Sequence, residues 1–113
     1  MTNRSKTSMN QLEHALVTTP GDTNPMLRKC IIDYVVAMTL NQVNNPILPD
    51  TSVLALVDKI TFAAYSIEDD DVAMLRSCGW SDDAIYEIIL SAAYGAGLAR
   101  MQAFHSLLNE IDK

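Results

Sequence analysis

From Ile85 to Ala99 the sequence is apolar at every position except Glu87 and Ser91. It contains no proline and no strand-like alternation. The acidic pair Asp82-Asp83 stands just before it, where a helix dipole favours negative charge. The pattern predicts one long helix, running from about Asp82 to Ile111. A helix with no polar face must be central to a domain or lie in an interface. That element dictates an all-α protein in which other helices wrap around it.

The remaining helices announce themselves by their ends. Ser8 and Gln11 form a capping-box pattern before Leu12, Ala15 and Leu16, and Pro20-Gly21 stops that first helix. Residues 1–7 are expected to be a mobile tail and 8–113 a single domain. Asn24-Pro25 is a second start, an Asn cap with proline at the first helical position. Met26, Leu27, Cys30, Ile31, Tyr34, Val35 and Met38 then form a helical stripe, widened by Ile32 and Val36. Asn44-Asn45-Pro46 is the expected stop. Pro49-Asp50-Thr51 opens a third helix with Val53, Leu56, Val57, Ile60 and Ala64 on one face. Ser66 is the expected cap of a fourth, with Glu68, Asp69, Asp70 and Asp71 crowding its first turn and Gly79 as its left-handed end. The acidic run reads as a cap. It lacks the spaced acidic-glycine pattern of a calcium loop, so no metal site is assigned.

A chain of 113 residues with 49% hydrophobic residues is apolar-rich for its size. Part of that surface is expected to be buried between subunits. A net charge of −6 argues against nucleic acid and anionic membranes as partners. The apolar run is too short and too rich in Ala and Gly to cross a bilayer. Residues 1–11 lack the apolar core of a secretory signal, so the expected location is cytoplasmic. The two cysteines, Cys30 and Cys78, read as small buried hydrophobes.

Several motifs recur in a fixed order. Leu54-Ala55-Leu56-Val57-Asp58-Lys59-Ile60-Thr61 precedes the acidic segment. Leu75-Arg76-Ser77-Cys78-Gly79 makes a turn, and Ser81-Asp82-Asp83 caps the long helix. Tyr94-Gly95-Ala96-Gly97-Leu98-Ala99, Arg100 and Ala103-Phe104 follow. This ordered set, over about Pro49 to Leu108, resembles the carboxymuconolactone decarboxylase / AhpD-like alkylhydroperoxidase family. Leu98 stands where the decarboxylase branch usually has Pro. The resemblance implies an orthogonal bundle of about five helices and a homo-oligomer, a trimer or a hexamer. The family's peroxidases act through Cys-x-x-Cys…His, and this chain has no Cys-x-x-Cys. In one register the motif positions hold Ala64, Ile67 and Asp71. In a second the cysteine positions hold Val43 and Pro46. Dithiol chemistry needs two sulfurs within disulfide reach, so hydroperoxide reduction by that route is not expected.

Five residues remain candidates for chemistry. Cys78 sits at a helix C-terminus beside Asp82 and Asp83, a setting expected to hinder thiol ionisation, although Arg76 could offset it. Glu87 interrupts an apolar helix. On a buried face it would have a raised pKa and need a partner such as Arg100 or Lys59. The preferred alternative places it with Ser91 on the helix's one solvated strip. Tyr94 suits a pocket rim or an interface. Arg100 resembles an Arg near the end of the corresponding helix in peroxidase-related members. His105 reads as a surface or interface residue, and His14 as exposed. Two functions follow. One is a degenerate family member, a helical oligomer that binds a small hydrophobic or carboxylate ligand or a partner. The other is a decarboxylase-type enzyme, or a redox protein with a single thiol. No cofactor is implied. Gly95 and Gly97, each costly in a helix interior, are expected to mark close backbone packing or a kink.

Overall fold

The computed structural model describes residues 3–18, 20–41, 48 and 51–111. The described residues are all-α, without a strand. Five helices run in order: α1 (Asn3–Thr18), α2 (Pro25–Thr39), α3 (Leu54–Phe62), α4 (Asp69–Ser77) and α5 (Asp82–Ile111). Single 3₁₀ turns at Thr51–Val53 and Ala64–Ser66 flank α3.

The helix ends follow local chemistry. Asn24 caps α2, its side-chain oxygen accepting from Met26 N–H at 2.8 Å, with Pro25 as first helical residue. The helix closes earlier than the Asn44-Asn45-Pro46 signal, which lies outside the described residues. Asn41 takes the left-handed conformation (φ 54°) just past the last turn. Asn is one of the few side chains that adopts it readily. α4 is capped by Glu68 rather than Ser66, whose hydroxyl bonds back to Ala63 O inside the 3₁₀ turn. Asp71 accepts from Glu68 N–H at 2.9 Å, so the acidic run serves the helix start. The far end of α4 is a Schellman motif. Gly79 has φ 99°, its N–H bonds Arg76 O, and Trp80 N–H bonds Leu75 O. Buried Leu75 and half-buried Trp80 pack in the same cluster, the apolar contact that accompanies this motif. Ser81 then caps α5 by accepting from Ala84 N–H. At the other end of the chain, α1 begins at Asn3, so Ser8 lies within it and does not start it.

α2 and α5 form the most extensive helix contact. Ile31 and Val35 from α2 meet Ile85, Ile88, Ala92 and Ala96 from α5, and Val53 from the first 3₁₀ turn, Leu56 and Val57 from α3 and Leu75 from α4 close the cluster. The small residues on α5 let α2 approach closely. A methyl group on Gly95 would lie 3.1 Å from both the Ile32 carbonyl oxygen and Val35 Cβ. Gly97 has nothing within 4 Å of that position. The expected close packing therefore holds at Gly95 and fails at Gly97. A second, smaller cluster of Leu16, Ile32 and Tyr94 seats α1 on the same pair. Met26, expected on the buried stripe of α2, is 66% exposed, while Arg28 takes an inner position at 4%.

Candidate functional site

The densest polar construction in the fold surrounds Glu87. This residue lies on the second turn of α5 and faces the loop between α1 and α2. Its carboxylate accepts Asp22 N–H at 2.8 Å, Thr23 N–H at 3.0 Å and the Thr23 hydroxyl. The Arg28 guanidinium lies 3.9 Å away. Gly21 makes this closure possible. A Cβ there would fall 2.6 Å from the carboxylate oxygen, a position already pinned by three hydrogen bonds. Ser81 reinforces the same loop, its hydroxyl donating to Asp22 at 2.8 Å.

Burial pushes the Glu87 carboxyl upward. The Thr23 hydroxyl, the Asp22 and Thr23 amides and the Arg28 charge outweigh it and hold the group below its ordinary value. This reverses the raised pKa expected from a buried carboxylate on an apolar helix. It also corrects the preferred reading of a solvated strip, since Ser91 is fully buried and bonds Glu87 O. The expected partners are engaged elsewhere. Lys59 bonds both Asp71 oxygens at 3.0 Å. Arg100 donates to Thr61 O at 2.9 Å, covering a carbonyl at the C-terminus of α3. Arg28 does the same for α1, donating to Leu16 O at 2.7 Å.

A groove of about 310 Å³ opens beside this clamp, with Leu12, Leu16, Pro20, Gly21 and Leu90 as walls and Arg28 and Glu87 at its polar edge. A second groove of about 400 Å³ is lined by Glu13, Ile32, Asp33, Val36, Leu98 and Gln102. Of the five candidates, Glu87 lines the first groove and none lines the second.

The other four stand apart. Tyr94 is 7% exposed and belongs to the second core, which removes it from any rim. Its hydroxyl is pushed up, first by burial and then by the Glu13 charge. Cys78 is exposed at the end of α4, while Cys30 is half-buried on the main core, so only Cys30 behaves as a packed hydrophobe. His105 and His14 are exposed. At about 1.5 Å rise per residue, Glu87 and Arg100 are about 20 Å apart along α5, and Glu87 and His105 about 27 Å. No two of the five converge on one point. Among the described residues, no group of three His, Cys, Asp or Glu side chains is arranged to hold a metal ion. None of the described helices is long and apolar enough to cross a membrane.

Sequence reasoning missed Gly21, Asp22, Thr23 and Arg28. Arg28 carried a signal: it falls four and seven positions before Ile32 and Val35, on the buried side of α2. A charge there requires a partner. Comparison of the chain with protein-family models, curated proteins and solved structures finds no match to any of them.

Proposed function

We propose that the chain is a degenerate relative of the carboxymuconolactone decarboxylase / AhpD-like family that works as a self-associating helical scaffold or binding protein, without dithiol peroxidase chemistry. The order of helices and caps fits that ancestry, and both motif registers lack cysteine. The observation that carries the reading is the dispersal of the candidate side chains, Cys78 at the end of α4 and the other four along α5, a helix whose outer face carries large apolar residues in water. A proton-transfer catalyst works best with a pKa near the operating pH. Glu87 is held the opposite way and already accepts three hydrogen bonds. Its carboxylate ties a loop and is a poor base.

The groove supports a binding role alongside the scaffold. Its size reaches the lower end of small-molecule sites. Apolar walls and a carboxylate–guanidinium edge suit a small apolar molecule with a polar head.

Sedimentation equilibrium at micromolar concentration tests the scaffold reading: a species larger than 12.5 kDa supports it, and a lone monomer refutes it. Organic hydroperoxide turnover that vanishes in Cys78→Ser would overturn the second half of the proposal.

A further inference from the structure

The outer face of α5 has a periodicity of its own. Tyr86, Leu90, Ala93, Gly97, Arg100, Phe104 and Leu107 are spaced alternately four and three apart, and all are exposed. That is the a/d spacing of a coiled-coil seam. On a straight helix these positions stay within a stripe about 100° wide. The inner face, with Ile85, Ile88, Ala92 and Ala96, serves the fold. Apart from the Arg100 guanidinium, which bonds Thr61 O, and Leu90 at the edge of the first groove, the seam faces open space: a Cβ added at Gly97 would meet nothing within 4 Å. Beyond Arg100 the helix projects from the bundle, and residues 102–107 are exposed on every side. A projecting helix gains little from propensity alone and depends on packing for its stability.

Resting on the scaffold reading above, we infer that this seam is the contact between two copies of the chain, with their α5 helices antiparallel about a two-fold axis near Leu98. The seam is complementary to itself in that direction. Leu90 faces Leu107 of the partner subunit, and small Ala93 faces the partner's Phe104. Gly97 faces the stem of the partner's Arg100, whose guanidinium is turned away to Thr61 O. A parallel pairing would set Phe104 against Phe104 of the partner subunit and leave Ala93 and Gly97 facing their own copies across a gap.

The area suffices. Tyr86, Leu90, Phe104 and Leu107 are 64, 40, 60 and 52% exposed. Those four expose roughly 350 Å² per copy, taking ~200 Å² for an aromatic side chain and ~120 Å² for a leucine. Two copies together supply ~700 Å², and the stems along a contact ~32 Å long bring the total to the ~1,000 Å² expected of a specific interface. Leu12, 47% exposed, extends the surface beside Leu90 across the first groove. Each copy carries a net charge of −6, so added salt screens their repulsion and should tighten the pair.

The test begins with Phe104→Glu and Leu107→Glu, residues that fold stability does not need. Each is expected to weaken self-association at least tenfold by sedimentation equilibrium, with helicity by circular dichroism unchanged. Wild-type oligomers untouched by either substitution would overturn the seam and leave the scaffold reading standing. A wild type that stays monomeric at 100 µM, taken as roughly a hundredfold above a micromolar Kd, would overturn both. Orientation is read by cross-linking in a Cys78→Ser background. Mild oxidation should join Leu90→Cys protein to Leu107→Cys protein in a mixture, and neither with itself. Self-cross-linking of Leu107→Cys alone would show a parallel pair and overturn the register.

Discussion

The two ends of α5 are the same helix in different company. From Asp82 to Arg100 its inner face packs on α2, α3 and α4, and Ile88, Ser91, Ala92 and Ala99 are completely buried. From Met101 to Glu110 no residue is buried, although Phe104, Leu107 and Leu108 are as apolar as anything upstream. The difference teaches that an apolar run marks a need for burial and does not say which neighbour meets it. The inner face of the first half meets that need inside the chain.

The largest test of this contrast is truncation of one large side chain in each half. Ile88→Ala should cost about 2–5 kcal/mol in urea unfolding, because it leaves a cavity in a filled core. Leu107→Ala should change the stability of dilute protein by less than about 0.5 kcal/mol. Comparable losses at the two positions would mean that the distal half is packed after all.

Next in size is the clamp at the proximal end. Glu87→Gln removes the charge from three donors and from Arg28, and should cost about 1–3 kcal/mol. Its pH dependence has a fixed sign. The folded carboxyl titrates below its ordinary value of 4.5, so its contribution is complete above that value and disappears as pH falls through the folded pKa. Thermal melts of wild type and Glu87→Gln should therefore converge as acid is added, and a constant gap down to pH 3, about one unit below the ordinary carboxylate range, would contradict the assignment.

The smallest contrast lies within two residues. Gly95→Ala forces a methyl against the Ile32 carbonyl, and backbone cannot yield unless α2 moves with it. The overpacking cost of about 1–3 kcal/mol should exceed the roughly 1 kcal/mol gained in helix propensity. Gly97→Ala meets open space and should raise the stability of dilute protein by up to about 1 kcal/mol. Melts that shift in the same direction for both would erase the distinction.

Helix existence was legible because each end carries its own local chemistry: Asn24-Pro25, Gly79 and Ser81-Asp82-Asp83 each dictate backbone geometry within a few residues. Boundaries slipped where that chemistry was ambiguous. Ser66 and Glu68 both can cap, and Ser8 lies inside a helix that tolerates it. The surroundings of Glu87 were not legible, because its partners lie 64 and 65 residues away in sequence. Pro20-Gly21 read as a helix stop, and nothing local says that its glycine also makes room for a distant carboxylate. Solvent exposure at Gly97 was hidden for the same reason: two glycines in one helix look alike until the neighbouring helix is placed.

That long sequence separation has a kinetic consequence. The amides of Asp22 and Thr23 sit in a loop at the molecular surface, where hydrogen exchange with solvent is ordinarily fast. Both are bonded to a side chain of the central helix, so releasing them requires α1 and its loop to lift away from α5 as one unit. Their exchange should keep pace with the slow interior amides of α2 rather than with their neighbours in the loop, making two surface protons reporters of how cooperatively the whole bundle opens.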